Sequence, residues 1–236
     1  MLAIAVEWGA IKHVPAIRWL DLPPLEFDFL TFEEANRLIA AADGAWRTMI
    51  TVALHTGLRL GELLALRWSD VDLDAGRLLV RRAVSRGIIG SPKNGKAREV
   101  PLSDLAAEAL RTHRHRGELV FCSKDGSMLT RGATRAPLRR ALARADLRSM
   151  GWHCMRHSFA SALVMRGAPL KSVQELLGHS TIEMTMRYAH LSPDARRDAV
   201  KLLDVRDSAK LVWMTSRGII LEVSLDGSRY TLPSAA

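Results

Sequence analysis

Between Gly151 and Leu191 the chain concentrates side chains suited to phosphate chemistry: His153, Arg156, His157, His179, Arg187, Tyr188 and His190. Arginine stays charged and grips a phosphate with two N–H donors. Imidazole exchanges protons near neutral pH, and a phenol becomes a nucleophile once it loses its proton. His153 and Arg156 are three residues apart, a spacing that puts them on one face of a helix. Gly178 reads as a helix stop, with His179 in the turn after it. Ser180 and Glu183 have capping-box spacing, which predicts a new helix carrying Tyr188 two turns in. Two helices and a turn would thus aim a His/Arg pair, a second His and a tyrosine hydroxyl.

Each group also has a plain reading. An arginine on an amphipathic helix is usually a solvated face or an ion pair, and a buried histidine usually a satisfied core or capping group. Tyr188 could pack its ring and keep its hydroxyl wet. The elements around these groups decide how the readings weigh.

Thr31 and Glu34 form a capping box ahead of an apolar-periodic run to about Ala42. A second helix is expected near Trp46–His55, closed by Gly57. In TGLRLGELLALRW, Leu58, Leu60, Leu63, Leu64 and Leu66 fill a core side, while Arg59 and Glu62 sit together on the other. From Asp70 the period changes. A turn at Asp74–Gly76, a Leu/Val run, turn chemistry at Pro92 and Asn94-Gly95, and a β-like Glu99–Leu102 predict a small antiparallel sheet with Lys93 near a turn.

Ser103 caps the next helix, residues 119–123 (LVFCS) read as a short strand, and Thr130 precedes a basic helix whose Arg135, Arg139, Arg140 and Arg144 share one face. Helices are then predicted from Met155 to Arg166, Pro169 to Leu177 and Ser180 to His190. Ser192-Pro193 opens a last one to about Leu203. Residues 1–30 read as a short helical segment and a Pro-punctuated arm; residues 205–236 carry a hairpin signal at Asp226-Gly227. The expected class is mainly α with a small antiparallel β-sheet.

A chain of 236 residues, 48% of them apolar, can bury a sizeable core, and its net charge of +9 favours a polyanionic partner. Cys122 and Cys154 are the only cysteines, which fits a reducing compartment rather than a disulfide frame. No apolar run approaches a membrane span of about 18–20 residues, and no signal peptide is recognised. No carboxylate or thiolate cluster completes a metal ligand set, and phosphate-loop and serine-hydrolase signatures are absent. Neither metal nor cofactor is therefore expected. The chain reads as a DNA- or RNA-facing cytoplasmic protein.

The segments TGLRLGELLALRWSDVDL, SPKNGKAREVPL, HCMRHSFAS, LLGHS and TMRYAHL stand in the order used by tyrosine recombinases of the phage-integrase family. The chain resembles that family from about Thr31 to Asp204, with Cys154-Met155 where its members commonly have Asp-Leu. The resemblance implies the tyrosine recombinase catalytic-domain fold and a catalytic set of Arg59, Lys93, His153, Arg156, His179 and Tyr188, with Lys96 as the substitute for Lys93. Glu62 would orient the Arg59 guanidinium.

The implied reaction is strand cleavage and rejoining of double-stranded DNA through a 3′-phosphotyrosine, without metal or ATP. It would be carried out by a homo-oligomer (a tetramer on DNA) or beside a longer copy, in the nucleoid. Residues 1–30 would be the remnant of a core-binding domain's last helix with its linker, residues 31–204 the catalytic domain, and residues 205–236 a hairpin or subunit-docking tail. On this reading the chain is a truncated mobile-element or phage integrase. Two other classes stay open here: a non-catalytic DNA-binding protein derived from an integrase, and a type IB topoisomerase-like relaxing enzyme.

Overall fold

The computed structural model describes residues 2–16, 27–92, 95–113, 116–192, 200, 201, 203, 211–214 and 220–223. It is mainly helical with small antiparallel sheets, as expected. The chain forms two compact units, Met1–Phe159 and Ala160–Ala236, the division falling inside a helix.

In the first unit, α1 spans Leu2–Glu7, α2 Phe32–Ala41 and α3 Gly44–Thr56. The predicted capping box opens α2: the Glu34 backbone N–H donates to Thr31 Oγ1 at 3.2 Å, and the Thr31 N–H donates to Glu34 Oε2 at 2.9 Å. Such a cap contributes about 1 kcal/mol. Helix α3 ends on Gly57 in the left-handed conformation (φ 63°), a geometry that only glycine adopts without cost. One extended step later the chain enters α4, Leu60–Leu64. Leu58, Leu63, Leu64 and Leu66 are buried, whereas Leu60 is half-buried, and Glu62 lies inside rather than on the polar side assigned to it.

The sheet that follows has β1 (Val71–Asp72), β2 (Arg77–Val80) and β5 (Arg98–Pro101) in the order β1-β2-β5. Between them β3 (Ala83–Ser85) and β4 (Ile88–Gly90) form a separate hairpin. In the register of β2 and β5, Leu78 faces Val100 and Val80 faces Arg98. With period-2 alternation, the face that buries Leu78, Val80 and Val100 therefore carries Arg98 as well. Gly61 seats α4 against this hairpin: a Cβ there would meet the Val84 carbonyl oxygen at 2.5 Å.

Helix α5 (Asp104–Arg111) is capped by Ser103, whose Oγ accepts from the Ala106 N–H at 3.4 Å. It is shorter than the SDLAAEALRTHRHR segment that predicted it. Residues 119–123 make no strand; they form two isolated bridges, Arg67 with Leu119 and Cys122 with Met128, while Val120 and Phe121 are buried. Short apolar runs bury equally well as irregular chain, and here no neighbour supplies a continuous ladder.

Helix α6 covers Arg135–Arg144, starting at Thr134 rather than Thr130. Its four arginines are all exposed, and Arg144 pairs with Asp43 at 2.5 Å. Arg148, just beyond, holds Asp28 through both carboxylate oxygens, Glu34 and the Phe29 carbonyl, which ties the entry segment to the α6–α7 loop. Helix α7 runs Trp152–Met165 and begins three residues before its predicted start.

The second unit takes the end of α7, then α8 (Leu170–Leu177) and α9 (Glu183–Met186). Val164, Val173 and Leu177 are buried there. A hairpin of β6 (Leu211–Met214) and β7 (Ile220–Val223) pairs Leu211 with Val223 and Met214 with Ile220. The tail does contain a hairpin, but its strands precede the Asp226-Gly227 signal, which lies outside the described residues, as do residues 193–199 of the last predicted helix. Among the described residues no helix is long and apolar enough to cross a membrane.

Candidate active site

Arg59 occupies the extended residue ahead of α4 (φ −69°, ψ 151°), delivered by the turn that Gly57 opens. Its position is fixed from below by Glu62, which is 1% exposed. Glu62 Oε2 accepts the Arg59 backbone N–H at 2.8 Å, and Oε1 accepts Arg59 Nη1 at 3.0 Å. The same carboxylate is forked by Arg98, Nη1 to Oε1 at 3.0 Å and Nη2 to Oε2 at 2.7 Å. Burial works to raise the Glu62 carboxyl. The hydrogen bonds and charge of Arg98, with the Arg59 N–H and guanidinium, outweigh it and hold the group below the usual carboxylate value.

His153 lies in the first turn of α7 and Arg156 in the next. The Trp152 ring is buried, and its indole N–H donates to the Thr134 carbonyl at 3.2 Å, pinning the start of α7 to the start of α6. Arg59 and His153 line one cleft of about 980 Å³, together with Arg131, Arg135 and Arg139. Four guanidiniums on one cavity make a strong anion site, because their fields add where water is thinned.

Arg156 does not line that cleft. Its side chain is buried, and Nη1 donates to the Gly57 carbonyl at 2.7 Å, the same glycine that launches the turn to Arg59. Neighbouring Cys154 donates its thiol to the Asp28 carbonyl at 3.3 Å, and burial, then the Asp28 charge, pushes that thiol up to about 11. It is a packing group, not a reactive one.

The expectation that no two histidines stand in His-x-x-x-His spacing on one helix is corrected here: His153 and His157 do so on α7. Their rings pack edge to face with centroids 4.5 Å apart, and Phe27 lies 5.0 Å from His157. Among the described residues no group of three or more His, Cys, Asp and Glu side chains could hold a metal ion.

The second unit holds His179 and Tyr188. Gly178 ends α8 in the left-handed conformation (φ 63°), as predicted. The His179 N–H donates to the Gln174 carbonyl at 3.0 Å, and Gln174 Nε2 donates back to the His179 carbonyl at 3.3 Å. His179 Nδ1 is hydrogen-bonded to Thr185 Oγ1 at 2.9 Å, and the Tyr188 N–H donates to the Thr185 carbonyl at 3.0 Å. One buried threonine thus connects the histidine and the tyrosine.

The helix expected from Ser180 to His190 is cut to one turn. α9 is a single turn with Ile182 at its N-cap, the Ser180 hydroxyl points to Met184 Sδ at 3.7 Å, and Tyr188 leads into a 3-10 turn at Ala189–Leu191. Thr181, Ile182 and Thr185 are β-branched and poor helix formers, and the Thr185 hydroxyl is engaged by His179. Tyr188 is 1% exposed. Lys93 lies outside the described residues, and Lys96 is exposed on the segment entering β5.

The family model described as phage integrase family matches residues 28–194. The chain belongs to the phage integrase family. It is 35% identical to the tyrosine recombinase XerC of Xanthomonas axonopodis pv. citri over 78% of this chain and 61% of that protein. It is 29% identical to the integrase of Salmonella phage P22 over 84% of this chain and 52% of the integrase. The chain therefore spans between half and about three-fifths of the length of these relatives. Among solved structures it is similar to the catalytic domain of bacteriophage HP1 integrase (TM-score 0.59, 28% identity, 77% of this chain and 98% of that one). It also matches the fold of the Tn1549 transposon integrase, solved with a circular intermediate DNA (TM-score 0.72, 22% identity, 85% and 74%). The fold is that of tyrosine recombinase catalytic domains.

Seen as a phage integrase family member, the chain has site neighbours that sequence reasoning passed over: Arg98, Thr185 and Arg131. Arg98 had a readable signal, since it alternates with Val100 on the inward face of β5. Thr185 and Arg131 had none, being one threonine and one arginine among many.

Proposed function

We propose that residues 31–204 form the catalytic part of a site-specific DNA recombinase that cleaves and rejoins strands through a 3′-phosphotyrosine. The observation that carries this reading is Arg59, held on a buried carboxylate yet lining a cleft with His153 and three further arginines. A solvated surface arginine does not need such support.

Tyr188 is the nucleophile. Its oxygen forms a bond to the scissile phosphorus, and the bond from phosphorus to the 5′-oxygen of the next deoxyribose breaks. A phenol has an ordinary pKa of about 10, so its proton must leave as it attacks, and His153 is the acceptor. Arg59 and Arg156 stabilise the charge that develops on the five-coordinate phosphorus, where one well-placed donor is worth about 10²–10³ in rate. His179 donates to a non-bridging oxygen, and Lys93, or Lys96 in its place, protonates the leaving 5′-oxygen.

Attack by a partner strand's 5′-hydroxyl on the phosphotyrosine reverses these steps and restores Tyr188, so the bond energy is kept in the covalent intermediate. Tyr188 is 1% exposed, so attack on a phosphate requires its hydroxyl to be uncovered. The substrate is double-stranded DNA, gripped mainly through phosphates by Arg131, Arg135 and Arg139, so binding weakens steeply with salt. Exchange between two sites needs more than one copy of the chain, and a tetramer on DNA satisfies it.

A nicked suicide substrate tests this reading. The wild-type chain should form a covalent DNA adduct and Tyr188→Phe none. DNA binding without adduct would instead favour a non-catalytic DNA-binding protein. Relaxation of a supercoiled plasmid, without recombination of paired sites, would favour a topoisomerase-like enzyme.

A further inference from the structure

Glu62 has four acceptor positions, and all four are filled: two by Arg98, one by the Arg59 backbone and one by the Arg59 guanidinium. The exposures rank in the same order as the engagement. Glu62 is 1% exposed, the Arg98 side chain 9%, and the Arg59 side chain 24%. Arg98 takes the fork geometry, the stronger bidentate form of the pair, while Arg59 is attached through Nη1 alone. A buried carboxylate with only one guanidinium in reach would draw that guanidinium into the fork itself. Arg98 removes that pull.

We infer that Arg98 is a positioning residue for strand cleavage, neutralising Glu62 from inside the sheet so that Arg59 is restrained by the carboxylate but keeps its remaining donors for the scissile phosphate. The inference rests on the recombinase reading. Its basis in the fold is independent of the DNA: the β2–β5 register puts Arg98 opposite buried Val80, on the inward face, where no solvent role is open to it. In a chain lacking Arg98, Arg59 collapses toward Glu62 and withdraws from the cleft. A misplacement of about 1 Å in a positioning group costs on the order of 10²-fold in rate.

The test measures single-turnover cleavage of the suicide substrate and, separately, the Kd for uncleavable DNA, using the full chain. Arg98→Met should lower the cleavage rate by about 10- to 100-fold while Kd changes less than about twofold. Arg98→Lys, which keeps the buried charge without the fork, should recover part of the rate. In an Arg59→Ala background the same Arg98→Met change should add less than a further twofold, because its effect passes through Arg59. Replacing the scissile phosphate by an uncharged methylphosphonate should shrink the Arg98→Met defect in the same way.

Unchanged cleavage by Arg98→Met overturns the inference. So does a loss of equal size in both backgrounds, the pattern of a purely structural residue. If Arg98→Met does not fold, Arg98→Lys carries the same cycle, read the same way. A wild-type chain that binds DNA without forming adduct overturns the recombinase reading itself. A wild-type chain that forms adduct, with Arg98 variants equally active, overturns only the role of Arg98.

Discussion

The two units hold their site residues by different means. In the first, Arg59 is restrained by a buried carboxylate that a second guanidinium also grips, so three charges lie within hydrogen-bond distance in a nearly dry setting. In the second, His179 is bonded to a threonine hydroxyl and exchanges two bonds with Gln174, one donated each way, with the Tyr188 N–H on the same threonine. The contrast follows from the work each group is suited to. A cation that must face an anion needs a fixed field, and a counter-charge supplies one. His179 is oriented instead by bonds to a threonine hydroxyl and to backbone and amide groups, and the Tyr188 N–H shares that threonine.

The most severe way to break this contrast is Glu62→Ala. It strips the carboxylate from two guanidiniums, and losing one side of a buried ion pair costs about 3–5 kcal/mol, to be read from urea unfolding. A loss under about 1 kcal/mol would mean that the first unit does not depend on charge. The acid limb carries the same information. Glu62 titrates below its unfolded value of about 4.3, so its contribution is complete above that pH and disappears as pH falls through the lower folded value. Glu34 shares the direction, chiefly through its bond from the Thr31 backbone. Glu62→Gln should therefore flatten part of the fall in stability below about pH 4.

A smaller effect is expected from Gly61→Ala, which tests the platform beneath the carboxylate instead of the carboxylate. The new methyl meets the Val84 carbonyl oxygen at 2.5 Å, and relieving such overpacking costs about 1–3 kcal/mol, visible as a lowered thermal midpoint. An unchanged midpoint would show that the β3–β4 hairpin yields freely. Smallest is Thr185→Val, close in shape but without the hydroxyl: about 1 kcal/mol in stability and about a tenfold slower cleavage, restored by Thr185→Ser. Full cleavage by the valine variant would show that the Thr185 hydroxyl does not position His179.

Local punctuation was the legible part of this fold. Thr31 with Glu34, Gly57 and Gly178 act within one turn of themselves, so their residue types suffice to place the ends of α2, α3 and α8. What escaped depends on partners far along the chain. Glu62 reads as polar surface because its carboxylate lies three residues from Arg59, yet it is buried by Arg98, thirty-six positions away. Ser180 and Glu183 imitate a capping box, but the Thr185 hydroxyl answers to His179 and the helix is one turn long. The spacing of the α6 arginines carried no sign that Arg144 would pair with Asp43, about a hundred residues earlier in the chain. The pairing of Arg59 with Glu62 could be read from their spacing; the second grip of Arg98 on the same carboxylate and the bond of Thr185 to His179 could not.

Gly57 ends α3 and offers its carbonyl to Arg156, and two residues on the chain reaches Arg59. Helix length is therefore coupled to the aim of two guanidiniums at once. One residue inserted into α3 rotates its end by about 100°, carrying both the carbonyl and the turn off target. Insertions scanned along the first unit should be tolerated in the Ser123–Ser127 turn and rejected throughout α3, as measured by adduct yield. Drift in chain length has little room here, even where substitution has plenty.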